Sequence, residues 1–151
     1  MGDALRDIQD QLAIQDRLFL YAQMVDRREW KYMDEVFAPD ATLDYKTSGG
    51  IEGPYRSTLE WLARALAPWP LNLHHVSNVR VELDGDRAHS SCYFHAPMGR
   101  IEDDGSQLVL TNAGYYHDDL VRLEAGWRIQ HRFCEQTMMV GHLPEGYAIP
   151  E

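Results

Sequence analysis

The sequence predicts an α+β fold in which N-terminal helices cover one face of a curved antiparallel sheet, and two observations carry that expectation. Apolar residues recur at helical spacing as far as Leu66, and from Leu73 onward the apolar period changes to two. Three clusters of turn-forming residues then divide the second half, so its strands follow one another as hairpins.

The elements follow in chain order. Leu5, Ile8, Leu12, Leu18, Ala22 and Val25 recur at spacings near three and four with charges between them, which predicts one long helix from about residue 3 to 26 with a buried stripe. A second, short helix from Trp30 to Phe37 places Trp30, Met33 and Phe37 on one face and stops at Pro39 and Asp40. Thr42 to Tyr45 reads as a short strand, and Gly49, Gly50, Gly53 and Pro54 as a loop. Ser57 followed by Glu60 reads as a capping box opening a helix through Leu59, Leu62, Ala63 and Leu66, which Pro68 and Pro70 end. Strands are expected at 73–83, 87–98, 107–123 and 127–139. Their joints are Asp84, Gly85 and Asp86, then Asp103, Asp104 and Gly105, then Glu124, Ala125 and Gly126. Residues 141–151, with Pro144, Gly146 and Pro150, read as a tail lying on the body or on a neighbouring subunit.

The 151 residues suffice for one domain that buries roughly two thirds of its unfolded surface, so 1–151 is read as a single unit. A net charge of −10, a pI near 5.0 and the lack of any Lys/Arg stripe argue against nucleic acid and anionic membrane as partners. Cys92 and Cys134 have no C-x-x-C spacing and read as buried strand thiols of a reducing compartment. The charged start, Asp3, Arg6, Asp7 and Asp10, is unlike a secretory signal, and no apolar run approaches the roughly 20 residues that span a bilayer. The expected location is the cytoplasm.

Ala13, Ile14, Gln15 and Asp16 lead into Val25, Asp26 and Trp30; Phe37, Pro39, Asp40 and Ala41 precede the first strand; His74 to Leu83 and the turn Gly126, Trp127, Arg128 follow. With these residues, about 5 to 138 resembles the SnoaL-like branch of the nuclear transport factor 2-like superfamily. The resemblance implies a cone-shaped, cystatin-like curved antiparallel sheet with the helices on one face. Within the branch the chain resembles scytalone dehydratase at Asp26, Tyr45 and His74, with Val25 in place of that family's tyrosine. It is similar to lindane dehydrochlorinase at Asp26, His74 and Arg132, with Tyr21 in place of its lysine. It is similar to bile-acid 7α-dehydratase at Tyr21, Asp26 and His74. All three catalyse eliminations, and they share the Asp26 and His74 pair here.

An imidazole takes and returns a proton near neutrality, so His74 is the candidate general base. His75 competes, because Val79, Val81 and Leu83 share its parity on the strand and only the resemblance, with Val76, favours His74. Asp26 would accept the second ring N–H and steady the imidazolium, and an acid at a helix C-terminus is poorly placed unless a tertiary partner holds it. Tyr21 and Tyr45 are candidate donors to a substrate oxygen or to a departing hydroxyl. Arg132 is a candidate for neutralising an anion, and Asn78, His95 and Trp30 are candidates for orienting substrate. Seven histidines contain no H-x-H or H-E-x-x-H spacing, and there is no nucleophile elbow, Walker loop or dinucleotide fingerprint, so neither metal nor cofactor is expected.

These residues and the resemblance together imply a cofactor-independent lyase of the dehydratase type, acting on a small, mostly apolar cyclic or polyketide-like molecule. Two alternatives stand beside it: an isomerase of the ketosteroid-isomerase kind in the same pocket, and a non-catalytic binding or assembly subunit like the small subunit of a ring-hydroxylating dioxygenase. Self-association as a dimer or trimer is expected in each case.

Overall fold

The structure, a computed structural model, describes residues 2–150. Helix α1 (Gly2–Arg27) is followed by a 3₁₀ helix (Trp30–Glu35), strands β1 (Phe37–Asp44) and β2 (Glu52–Pro54), and helix α2 (Tyr55–Leu66). Strands β3 (Leu71–Asn72), β4 (His75–Asp84), β5 (Arg87–Ile101), β6 (Gln107–Leu123) and β7 (Gly126–Val140) complete the order. Among the described residues no helix is long and apolar enough to cross a membrane.

The three hairpins β4–β5, β5–β6 and β6–β7 pair antiparallel, as the turn clusters predict. The rest of the sheet requires a correction. β1 lies parallel to β7, which makes the sheet mixed, and the strand order β2-β1-β7-β6-β5-β3, with β4 also on β5, leaves both edges open. The expected cone-shaped, cystatin-like antiparallel sheet is therefore not what forms: the sheet is neither closed nor strongly curled. The physical reason is that turn residues specify only neighbours joined by a short loop, whereas β1 meets β7 after the whole meander has intervened.

Local corrections have local causes. β1 begins at Phe37 and runs through Pro39 and Asp40, which sit where its pairing with β7 shifts register between Phe37 and Thr42; a proline is tolerated in a strand at such an irregularity. Residues 30–35 wind as a 3₁₀ helix. α2 opens at Tyr55 directly from β2, with no side-chain cap, and Ser57 donates instead to the Pro54 carbonyl at 3.0 Å. On α1 only the second half of the apolar stripe is covered. Ile14, Leu18, Tyr21 and Val25 are buried, while Leu5, Ile8 and Leu12 remain 59%, 55% and 60% exposed.

The core lies between the two helices and the inner sheet face. Every second residue of β5 from Ala88 to Ala96 is buried, and β6 contributes Leu110, Tyr116, Asp118 and Leu120 to the same face. Gly114 sits on this face because β7 bulges toward it: a Cβ there would stand 1.9 Å from the Glu135 carbonyl oxygen.

Candidate active site

Asp26 is placed by the end of α1. The helix stops as a Schellman motif, with the Arg28 N–H on the Val25 carbonyl (3.1 Å) and the Glu29 N–H on the Met24 carbonyl (2.9 Å). The left-handed position of that motif is taken by Arg28 (φ 59°) rather than by glycine. Its guanidinium holds the conformation, donating to the carbonyls of Val25 (2.7 Å), Leu66 (3.2 Å) and Trp69 (2.9 Å), and so ties the end of α1 to the end of α2.

Asp26 uses both carboxylate oxygens on one residue. Oδ1 accepts from the His74 ring at Nδ1 (2.6 Å), and Oδ2 accepts from the His74 backbone N–H (2.8 Å). Both side chains are mostly buried. Burial opposes the Asp26 charge, but the two His74 hydrogen bonds outweigh it and hold the carboxyl below its ordinary value. A carboxylate can only accept, so Nδ1 carries the proton and Nε2 is left with its lone pair. Nε2 takes no hydrogen bond from any described residue, and His74 lines the main cavity.

That cavity measures about 280 Å³ and lies between α1, α2 and the inner face of β5, β6 and β7. Tyr21 and Tyr45 meet in its wall, hydroxyl to hydroxyl at 2.5 Å. Burial raises the pKa of both above the ordinary tyrosine value, as it does for the adjoining Tyr116, so all three remain protonated donors. Trp61, Trp69 and Phe94 supply apolar wall. The tail crosses the same space, with Leu143, Tyr147 and Ile149 lining it. Trp61 donates through its indole N–H to the Pro150 carbonyl (2.7 Å), and Trp69 to the Tyr147 hydroxyl (3.2 Å). The tail thus lies on the body of its own chain.

Of the residues singled out from sequence, Asp26, His74, Tyr21 and Tyr45 are brought together; Asp26 stands behind His74 and does not itself line the cavity. The others lie elsewhere. Arg132 is fully buried and paired through Nε and Nη2 with both oxygens of Asp118, at 2.7 Å each. Its guanidinium lies over the rings of Tyr21 and Tyr116 at 4.3 and 4.2 Å, in the core and outside the cavity lining. His95 is on the exposed face against His75 (ring centroids 6.0 Å apart), and Trp30 borders a separate groove beside α2. Asn78 is exposed and has φ 51° at the register shift between Ser77 and Arg80. It forms a β-bulge outside the cavity lining. That bulge also puts His74 and not His75 on the inner face: it inverts the alternation, so Val79, Val81 and Leu83 share a face with Val76 and His74. Sequence reasoning passed over Asn112, although it shares the parity of Leu110 and Tyr116 on β6, the signal that would have placed it in the cavity.

Helices packed on one face of a mixed sheet, with a buried Asp–His pair beside an interior cavity, are the arrangement of a SnoaL-like domain of the nuclear transport factor 2-like superfamily. Residues 6–133 match the model of the SnoaL-like domain, and the chain belongs to that family. An uncharacterized protein of Mycobacterium tuberculosis strain H37Rv is 39% identical over 139 residues, which is 90% of this chain and 93% of that protein. Two solved structures share the fold. A protein of Novosphingobium aromaticivorans assigned as a scytalone dehydratase is 20% identical with TM-score 0.75, over 98% of this chain and 99% of that one. The hexachlorocyclohexane dehydrochlorinase LinA type 2 is 18% identical with TM-score 0.76, over 97% of this chain and 98% of that one.

Proposed function

We propose that this protein is a lyase of the dehydratase type that needs no cofactor and acts on a small, mostly apolar cyclic molecule. The observation that carries the reading is the 2.6 Å contact of Asp26 with His74 Nδ1, which leaves Nε2 of a cavity-lining histidine free to take a proton where the wall also holds a tyrosine pair. Nε2 removes a proton from a carbon beside an electron-withdrawing group, and Asp26 stabilises the imidazolium. The released electron pair forms a double bond as the leaving group departs on the adjacent carbon. Of the two hydrogens on the Tyr21 and Tyr45 hydroxyls one joins them, and the other is free for the departing oxygen or for a carbonyl gathering charge. For a leaving hydroxyl, the proton taken by His74 returns to it and water is the product. The activities named for the two fold relatives, removal of water and of hydrogen chloride, support this chemistry by analogy.

In the isomerase alternative the same proton returns to another carbon and nothing leaves, so product mass separates the two. The test of the pair itself is Asp26→Asn and His74→Ala. Each lowers turnover by about 10²–10⁴ while the melting temperature stays within a few degrees. Full activity in both variants rejects the assignment.

A further inference from the structure

Most lining of the cavity away from the tyrosine pair is apolar, contributed by Met98, Leu110, Met139 and Leu143. Asn112 of β6 stands among these side chains. Its Oδ1 is buried and takes no hydrogen bond from any described residue. A buried amide oxygen without a partner is a standing penalty that folded proteins rarely retain without use. The sheet register fixes where it stands relative to the base. His75 pairs with His95, so His74 falls opposite Ala96, and Ala96 pairs with Asn112. His74, Ala96 and Asn112 therefore form one row across three strands, which sets the His74 and Asn112 backbones about 10 Å apart at ordinary strand spacing. Both side chains line the same cavity.

We propose that Asn112 is the specificity-determining residue of this site, and that it selects substrates of one or two rings carrying a hydroxyl remote from the carbon that His74 deprotonates. The inference rests on the lyase reading for the role of His74, but the binding it describes does not. A primary amide presents an acceptor and a donor, and a hydroxyl is the small group that satisfies either. A carboxylate would satisfy only the donor, and the cavity offers it no cation, since Arg132 is already paired with Asp118. A cavity of about 280 Å³ suits a molecule of this size.

Equilibrium dialysis of 2-naphthol and of naphthalene against the wild-type protein, Asn112→Leu, Asn112→Ala and His74→Ala tests the assignment. The wild type is expected to hold 2-naphthol about tenfold more tightly than naphthalene, the effect of one buried hydrogen bond. The ratio falls to about one in either Asn112 variant, where retained naphthalene binding shows an intact cavity, and persists in His74→Ala. A preference that survives in the Asn112 variants, one lost in His74→Ala instead, or no binding of 2-naphthol by the wild type overturns the proposal. Because dialysis reads binding alone, activity retained by Asp26→Asn and His74→Ala would defeat the lyase reading and leave this result standing.

Discussion

The backbone of Asn78 decides which histidine faces Asp26. In the left-handed region it lets two consecutive residues, Ser77 and Asn78, face outward, after which the strand resumes its alternation. Asparagine is among the few side chains that adopt this conformation readily, and a β-branched residue is not. Asn78→Val is expected to destabilise the fold by about 1–2 kcal/mol and to lower activity through a misplaced His74, whereas Asn78→Gly leaves both intact. Thermal denaturation and turnover check this, and a Val variant equal to wild type in both would show that the bulge does not depend on the residue. The same position shows why the candidate base was only half legible in the sequence. Strict period-two reading from Val79, Val81 and Leu83 selects His75, because nothing in a string of residue types announces that one of them has been inserted between two pairs of the ladder. The candidates Asp26, Tyr21 and Tyr45 were legible by resemblance. Arg132 was visible as a residue but not as one already claimed by Asp118, its partner across the β6–β7 hairpin.

At the scale of elements, the long strands and their hairpins were legible because each is specified by residues next to one another. The parallel β1–β7 pairing and the short strands β2 and β3 carry no such local signature. The junction of α1 and α2 is likewise invisible locally, since it depends on one guanidinium reaching carbonyls 38 and 41 residues away. Arg28→Ala removes these bonds and leaves a left-handed residue without support. It is expected to destabilise the protein by about 1–3 kcal/mol and to reduce kcat more than it raises KM, because Asp26 two residues earlier loses its fixed position. Denaturant unfolding and steady-state kinetics check both parts, and a variant with unchanged kcat would separate the junction from the site.

Across the whole molecule, α1 is tied to the far hairpin by a buried polar cluster. Asp10 accepts from Arg122 at 2.6 and 2.5 Å and from the Trp127 indole N–H at 3.0 Å, a link spanning most of the chain. The Arg122 hydrogen bonds hold the Asp10 carboxyl down at about 2, against 3.8 ordinarily. A carboxyl depressed in the folded state stabilises fully above its unfolded value, and that contribution disappears as pH falls from about 4 through about 2. Melting temperature should therefore drop more steeply over this window in the wild type than in Asp10→Asn, and parallel curves would refute the linkage. One feature reaches beyond equilibrium. Leu143, Tyr147 and Ile149 complete the wall around His74, yet they leave the ribosome after the segments that carry Tyr21, Asp26, Tyr45 and His74. A nascent chain can thus seat Asp26 against His74 while the chamber is still roofless, and the enclosure forms only once that later segment has emerged.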